Sequence, residues 1–268
     1  MMKALDIGIA DIALRLECPD EAFLQALLQE RYEAFALADI QQPHVRITLR
    51  PKPTPPTRAR MESVKVRRAE GGWRFVYDTF VADVTAEAGY AEVDCFSSVY
   101  AVDSFLRTLL ALTLPPRDGL LVHASAVRDV ERGYVFAGRS GAGKTTVARL
   151  LADRAEVLSD ELVALRRMPN GWRVYGTPFW GDFARAGVNL SAPLYAIYLL
   201  HQHKEHRLET LSRRDAMMGI LQCSLQFAEG AQVAEWMLNV VSGLVQDVPV
   251  YRLHFLPDVG FWAVVTRG

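Results

Sequence analysis

Residues 133–146 read Gly133-Tyr134-Val135-Phe136-Ala137-Gly138-Arg139-Ser140-Gly141-Ala142-Gly143-Lys144-Thr145-Thr146, a short apolar run, then a glycine-rich loop. Positions 138–145 match G-x-x-x-x-G-K-[ST] at every fixed position, and Val147, Leu150 and Leu151 follow on one face of a helix. Glycines at 138, 141 and 143 let the backbone curl so that successive N–H groups aim inward, and the positive end of the next helix adds to that field. Lys144 supplies a mobile charge for β and γ phosphates, and the Thr145 hydroxyl is placed to ligate Mg²⁺. The pattern predicts nucleotide contacts over Gly138, Arg139, Ser140, Gly141, Ala142, Gly143, Lys144, Thr145 and Thr146. ATP is the default nucleotide, since no N-K-x-D guanine reader occurs.

Outward from the loop, Leu120–Val127 and Gly133–Ala137 read as an antiparallel hairpin, too closely spaced for a parallel crossover. Val157-Leu158-Ser159-Asp160-Glu161 reads as a short strand ending in two acids, either a solvated strand-to-loop junction or, from its position beside the loop, the place of a metal-holding or proton-accepting carboxylate. His123, on the strand before the loop, reads either as a satisfied core histidine or as an imidazole that contacts a phosphate or orients a carboxylate. Downstream, Leu162–Leu165 and Trp172–Tyr175 flank Asn170-Gly171, read as a type I′ turn. Ala196–Leu200 reads as a strand, and Ser212 with Asp215 as a capping box opening a helix to Phe227. Gln232–Leu244 is a second helix, and Val250–Phe255 with Phe261–Val265 reads as a closing strand pair.

Upstream, Ile7–Leu16 alternates like one strand, and Pro19-Asp20 opens a helix with Phe23, Leu24, Leu27 and Leu28 on one face. Val45–Leu49 is a strand, and the prolines at 51, 53, 55 and 56 read as a loop that no central strand would accept. Ser63–Arg67 and Trp73–Tyr77 form a hairpin around Gly71-Gly72. Val99–Leu114 is a helix stopped by Pro115-Pro116. The chain is therefore read as an N-terminal α+β region, 1–116, and a nucleotide-binding region, 117–268, of α/β or α+β class with a mixed β-sheet around the loop and flanking helices. The strand pairs around the loop argue against a purely parallel doubly wound sheet.

Composition narrows the function classes. Of 268 residues, 50% are hydrophobic and 23% charged, which excludes a disordered or fibrous chain. A formal net charge of -1 gives no whole-chain basis for binding nucleic acid or an anionic membrane. Cys18, Cys95 and Cys223 are too few and too scattered for a disulfide framework and read as buried thiols. Asp6, Asp11 and Arg15 interrupt the first apolar stretch before a signal-peptide core forms, and no apolar run approaches a membrane span, so the expectation is a cytoplasmic protein.

The order His123-Ala124-Ser125-Ala126-Val127, hairpin, loop, helix, Ser159-Asp160-Glu161 resembles the core of HPr kinase/phosphorylase, a relative of ATP-dependent phosphoenolpyruvate carboxykinase. The resemblance spans roughly residues 120–165 and implies a Mg²⁺-dependent kinase of that fold. On it Asp160 is the base toward a serine hydroxyl, Glu161 the second acid, and Thr145, Asp160 and Glu161 share Mg²⁺, so that Asp160, Lys144 and His123 carry the catalysis. Where members of that family carry L-E-V-R-G-x-G, this chain reads Gly176-Thr177-Pro178-Phe179-Trp180-Gly181-Asp182. It thus resembles divergent members, some of which act on a peptide or a small hydroxyl compound. The implied acceptor is a Ser or Thr hydroxyl of a peptide or protein, and the implied assembly a homo-oligomer. Two other readings stand beside it: a nucleotide sensor with little turnover, and a small-molecule hydroxyl kinase.

Further groups are weighed on their residues. Thr177–Asp182 either lines a pocket or tucks Phe179 and Trp180 into the core. His201, His203 and His206 have metal-like composition but charged neighbours that suit a hairpin tip. Arg213 and Arg214 open a helix, where cations are disfavoured by the dipole, and read either as a plain exposed turn or as a contact for an anionic substrate or phosphate.

Overall fold

The computed structural model describes residues 1–38, 40–53, 63–85, 89–181 and 187–267. The chain is a mixed α/β protein with two mixed sheets. It divides into two compact units, Met1–Thr113 with Gln226–Val233, and Leu114–Leu225 with Ala234–Gly268. Pro55, Pro56 and Asp182 lie outside the described residues.

The first unit opens with β1 (Lys3–Ile9) and β2 (Ile12–Cys18), an antiparallel hairpin rather than the single strand expected over 7–16. Ala10 and Asp11 form its turn with φ of 51° and 58°, both left-handed, although neither is the Gly or Asn that usually signals such a turn. Helix α1 (Glu21–Leu27) is capped by Asp20, whose Oδ1 accepts from the Phe23 N–H, and it buries Phe23, Leu24 and Leu27. A single π-helical turn, Leu28–Tyr32, extends it.

Strand β3 (Val45–Lys52) runs past the expected end and includes Pro51, which aligns with Cys95. This is tolerated because pairing with β2 stops at Thr48, so Pro51 lies on a one-sided stretch. The hairpin β4 (Lys65–Ala69) and β5 (Gly72–Val76), then β6 (Phe80–Thr85) and β7 (Tyr90–Phe96), complete a seven-stranded sheet of order β1-β2-β3-β7-β6-β5-β4. Helix α2 (Val99–Thr113) packs on β6 and β7, with Phe105 edge-on to Phe80 at 5.7 Å.

One polar knot sits inside this unit. The Tyr32 hydroxyl donates to Asp103 Oδ1 at 2.6 Å, and Arg31 Nε lies 3.2 Å from Asp103 Oδ2. Burial pushes the Asp103 carboxyl above its ordinary range, and Arg31 pulls it back. Asp103→Ala is expected to destabilise the protein by about 3 kcal/mol, because it removes the buried carboxylate that partners the buried Tyr32 hydroxyl and the partly buried Arg31 guanidinium. Urea denaturation followed by far-UV dichroism checks this, and Arg50→Ala on the solvated side of β3 is the near-neutral comparison.

The second unit is organised by β8 (Gly119–Asp129), whose two halves pair differently. Residues 124–129 form the expected hairpin with β9 (Arg132–Ala137) and, on the other side, residues 126–128 pair with β10 (Glu156–Ser159). Residues 119–123 pair instead with β11 (Leu162–Met168), which turns into β12 (Gly171–Tyr175). That turn is centred on Pro169-Asn170 with only Gly171 at positive φ, 109°, so it is not the expected type I′. Proline, fixed near φ −65°, cannot take the first left-handed position.

The long strand β13 (Ser191–Gln202) joins β12, then runs parallel to both β9 and β15 (Val250–Phe255). Hydrogen bonding thus closes a circuit through β8, β11, β12, β13 and β9, and β14 (Arg207–Thr210) ends the sheet on β15.

Helix α3 (Lys144–Leu151) packs on β8, β9 and β10 and shares a core with Phe136, Tyr198, Phe255 and Phe261. Helix α4 (Arg213–Cys223) starts at the expected cap, with Ser212 Oγ accepting from the Asp215 N–H at 3.1 Å. It ends four residues before Phe227, because Ser224 turns extended to bridge Val122 and the Leu225 N–H donates to Leu121 O. Helix α5 (Ala231–Asp247) follows.

Phe261–Val265 is not a strand. It lies in helix α6 (Phe261–Arg267), burying Phe261 and Val265 at helical i, i+4 spacing after Asp258 Oδ1 accepts from the Gly260 N–H. Among the described residues no helix is long and apolar enough to cross a membrane.

Candidate functional site

Strands β9 and β10 both run antiparallel to β8 and flank it, so their C-terminal ends meet the same stretch of β8. Ala137, the last residue before the glycine loop, pairs with Ala124, and Ser159, the last before the acids, pairs with Ala126. His123 is the next residue of β8, and the Ala124 N–H donates to Glu161 O. The register therefore brings the loop, the acidic pair and His123 together where β9 and β10 end beside the middle of β8.

The loop has the tight curl the motif requires. Gly143 caps α3 at φ 108°, and a Cβ there would stand 2.7 Å from the Phe255 ring. A Cβ at Gly138 would meet the Ala142 methyl at 2.6 Å. Lys144 Nζ donates to the carbonyls of Gly138 and Arg139 at 3.1 and 3.3 Å, and so folds back over the loop it follows. From outside, Gln202 Nε2 donates to Gly141 O, and Arg139 Nη2 donates to Gln222 Oε1.

The two acids are presented differently. Asp160 is 2% exposed and its Oδ1 accepts from the Gly181 N–H at 3.2 Å. Glu161 has a side chain 30% exposed, 3.6 Å from Nδ1 of the half-exposed His123. His123 thus faces the second acid. The Thr177–Gly181 segment divides between its two readings: Thr177 and Phe179 are fully buried, whereas Gly181 meets the acids.

A family model described as SynChlorMet cassette protein ScmC matches residues 100–267, more than half of the chain. The chain belongs to that family. No curated protein matches it. The ScmC match contains the loop, His123, Asp160, Glu161 and Gly181, while residues 1–99 lie outside it.

Other groups singled out in this ScmC protein fall elsewhere. His201 and His203 pack edge-on against His254, at 4.9 and 5.2 Å between ring centres, and His254 Nε2 meets Glu209 Oε2 at 2.7 Å. Hydrogen bonding by His254 holds the Glu209 carboxyl below its usual range. His206 is separate, 2.9 Å from Asp258. Among the described residues no three His, Cys, Asp or Glu side chains are grouped to hold a metal. Arg213 donates to Ser242 Oγ, tying α4 to α5.

All three cysteines are buried free thiols, and burial pushes Cys95 up to about 12. Sequence reasoning missed Gln202, Gln222 and Phe255 around the loop. They are 61 to 112 positions from their partners, and no local spacing marks them.

Proposed function

We propose that this ScmC protein is an ATP- and Mg²⁺-dependent phosphotransferase that moves the γ-phosphoryl group to a hydroxyl, that of Ser or Thr in a peptide or protein. The observation that carries the reading is the convergence of the Gly138–Thr145 loop and the Asp160-Glu161 pair on one stretch of β8. A loop for phosphate alone would serve a sensor, whereas a carboxylate pair beside it suits transfer.

The loop fits a polyphosphate by its own geometry. Side chains are sterically refused at Gly138 and Gly143, and the first-turn N–H groups of α3 have no acceptors within the helix and so face outward. Lys144 sits with its ammonium over the loop, where it would bind the β and γ phosphates. Thr145, Asp160 and Glu161, all oxygen donors, would hold Mg²⁺, which neutralises charge on the phosphates when bound. Asp160 takes the hydroxyl proton, and Glu161 with His123 forms the exposed side from which the acceptor approaches.

The test is transfer of label from γ-labelled ATP to Ser- and Thr-containing peptides and to small alcohols. Acid-stable label on a hydroxyl is expected. Saturable ATP binding with no transfer to any acceptor and no slow hydrolysis would establish a sensor instead.

A further inference from the structure

The segment after β12 grips residues 158–162 at successive positions. Ser159 Oγ donates to Phe179 O at 3.4 Å, the Gly181 N–H donates to Asp160 Oδ1, and Thr177 Oγ1 donates to Leu162 O at 2.6 Å. Thr177 Oγ1 also accepts from the Phe179 N–H, and the fully buried Phe179 ring anchors the turn. The returning chain closes the grip, with the Val188 N–H donating to Leu158 O. Gly181 leaves room for Glu161: a Cβ on Gly181 would stand 2.8 Å from Glu161 Oε2 and 3.2 Å from Glu161 Cβ.

We propose that Gly176–Gly181 is a positioning clamp that sets both carboxylates of the acidic pair for Mg²⁺, with Gly181 its decisive residue. The inference rests on the phosphotransferase reading above. A connection from β12 to β13 that served only the fold would need neither an N–H donor aimed at the Asp160 carboxylate nor a glycine against the Glu161 side chain. Groups that orient metal-binding carboxylates without touching the metal strongly affect its affinity. Gly181 acts on Asp160 through its N–H and on Glu161 through its missing side chain, so it is a positioning residue.

The experiment measures binding of a fluorescent adenine nucleotide in EDTA and across a Mg²⁺ titration, with thermal melting alongside. Gly181→Ala crowds Glu161 and is expected to raise the Mg²⁺ concentration for half-maximal enhancement about tenfold. Affinity in EDTA and the melting temperature stay at the wild-type values. In a Glu161→Ala background the Gly181 substitution adds nothing, since its effect passes through that side chain. Thr177→Val, which releases the Leu162 carbonyl without adding bulk, shifts the Mg²⁺ titration in the same direction.

A Gly181→Ala titration that overlays the wild type overturns the clamp while leaving the phosphotransferase reading intact. So does an equal loss of metal-dependent binding, metal-free binding and thermal stability in both variants, which would mark a purely structural turn. Nucleotide binding by the wild type that Mg²⁺ does not strengthen overturns the phosphotransferase reading itself, and the clamp with it.

Discussion

Asp160→Asn is expected to reduce phosphoryl transfer on the order of 1,000-fold at saturating nucleotide and Mg²⁺ while leaving nucleotide affinity in EDTA within about threefold, since a positioned base contributes typically 10²–10⁴. The substitution keeps the size of the side chain and a carbonyl oxygen that accepts from the Gly181 N–H, so the local fold is retained. It removes the charge and the proton acceptor. A loss confined to the rate at saturating nucleotide separates this role from simple binding. Single-turnover transfer measured beside nucleotide titration checks both halves. An equal loss of affinity and rate would place Asp160 in binding alone.

Lys144→Ala acts on the other half of the site. The ammonium now rests on the carbonyls of Gly138 and Arg139, and on the proposed reading it moves to phosphate oxygens. Removing a charged donor of this kind costs about 3 kcal/mol, roughly 100-fold in nucleotide affinity. Thermal stability should change little, because Lys144 is half-buried and Arg139, whose carbonyl it meets, is exposed. Calorimetric titration with ATP is the check, and unchanged affinity would remove Lys144 from the site.

Much of this arrangement was legible in the sequence because it is local. The motif at 138–145, the hairpin before it and the acids after it lie within 42 residues, and loop geometry, strand alternation and hairpin spacing act over that range. The Ser212 cap and the Asp20 helix start were legible for the same reason. What escaped depends on contacts between distant positions. Nothing local in Phe261–Val265 distinguishes a short strand from a short helix. The helix forms because Phe261 and Val265 reach a core built from β9, β13 and β15. The Ala10-Asp11 turn carries no glycine, and the register of two strands imposes its left-handed backbone. Pro51 was misread because whether a strand is flanked on one side or both is a property of the sheet.

The acidic pair shows the same division. Adjacency of Asp160 and Glu161 marked them as candidates, but the partner of the Asp160 carboxylate, the Gly181 N–H, lies 21 positions beyond it. His123 was expected near a phosphate or a carboxylate, and the register of β8 against β11 places it beside Glu161.

The most direct test of the central claim is ATP consumption by the wild-type protein in Mg²⁺ without an added acceptor, at a concentration where calorimetry shows the site saturated. The account predicts slow release of phosphate, water standing in for the missing hydroxyl. A saturated site with no phosphate release over many hours, and no change on supplying hydroxyl acceptors, would contradict it.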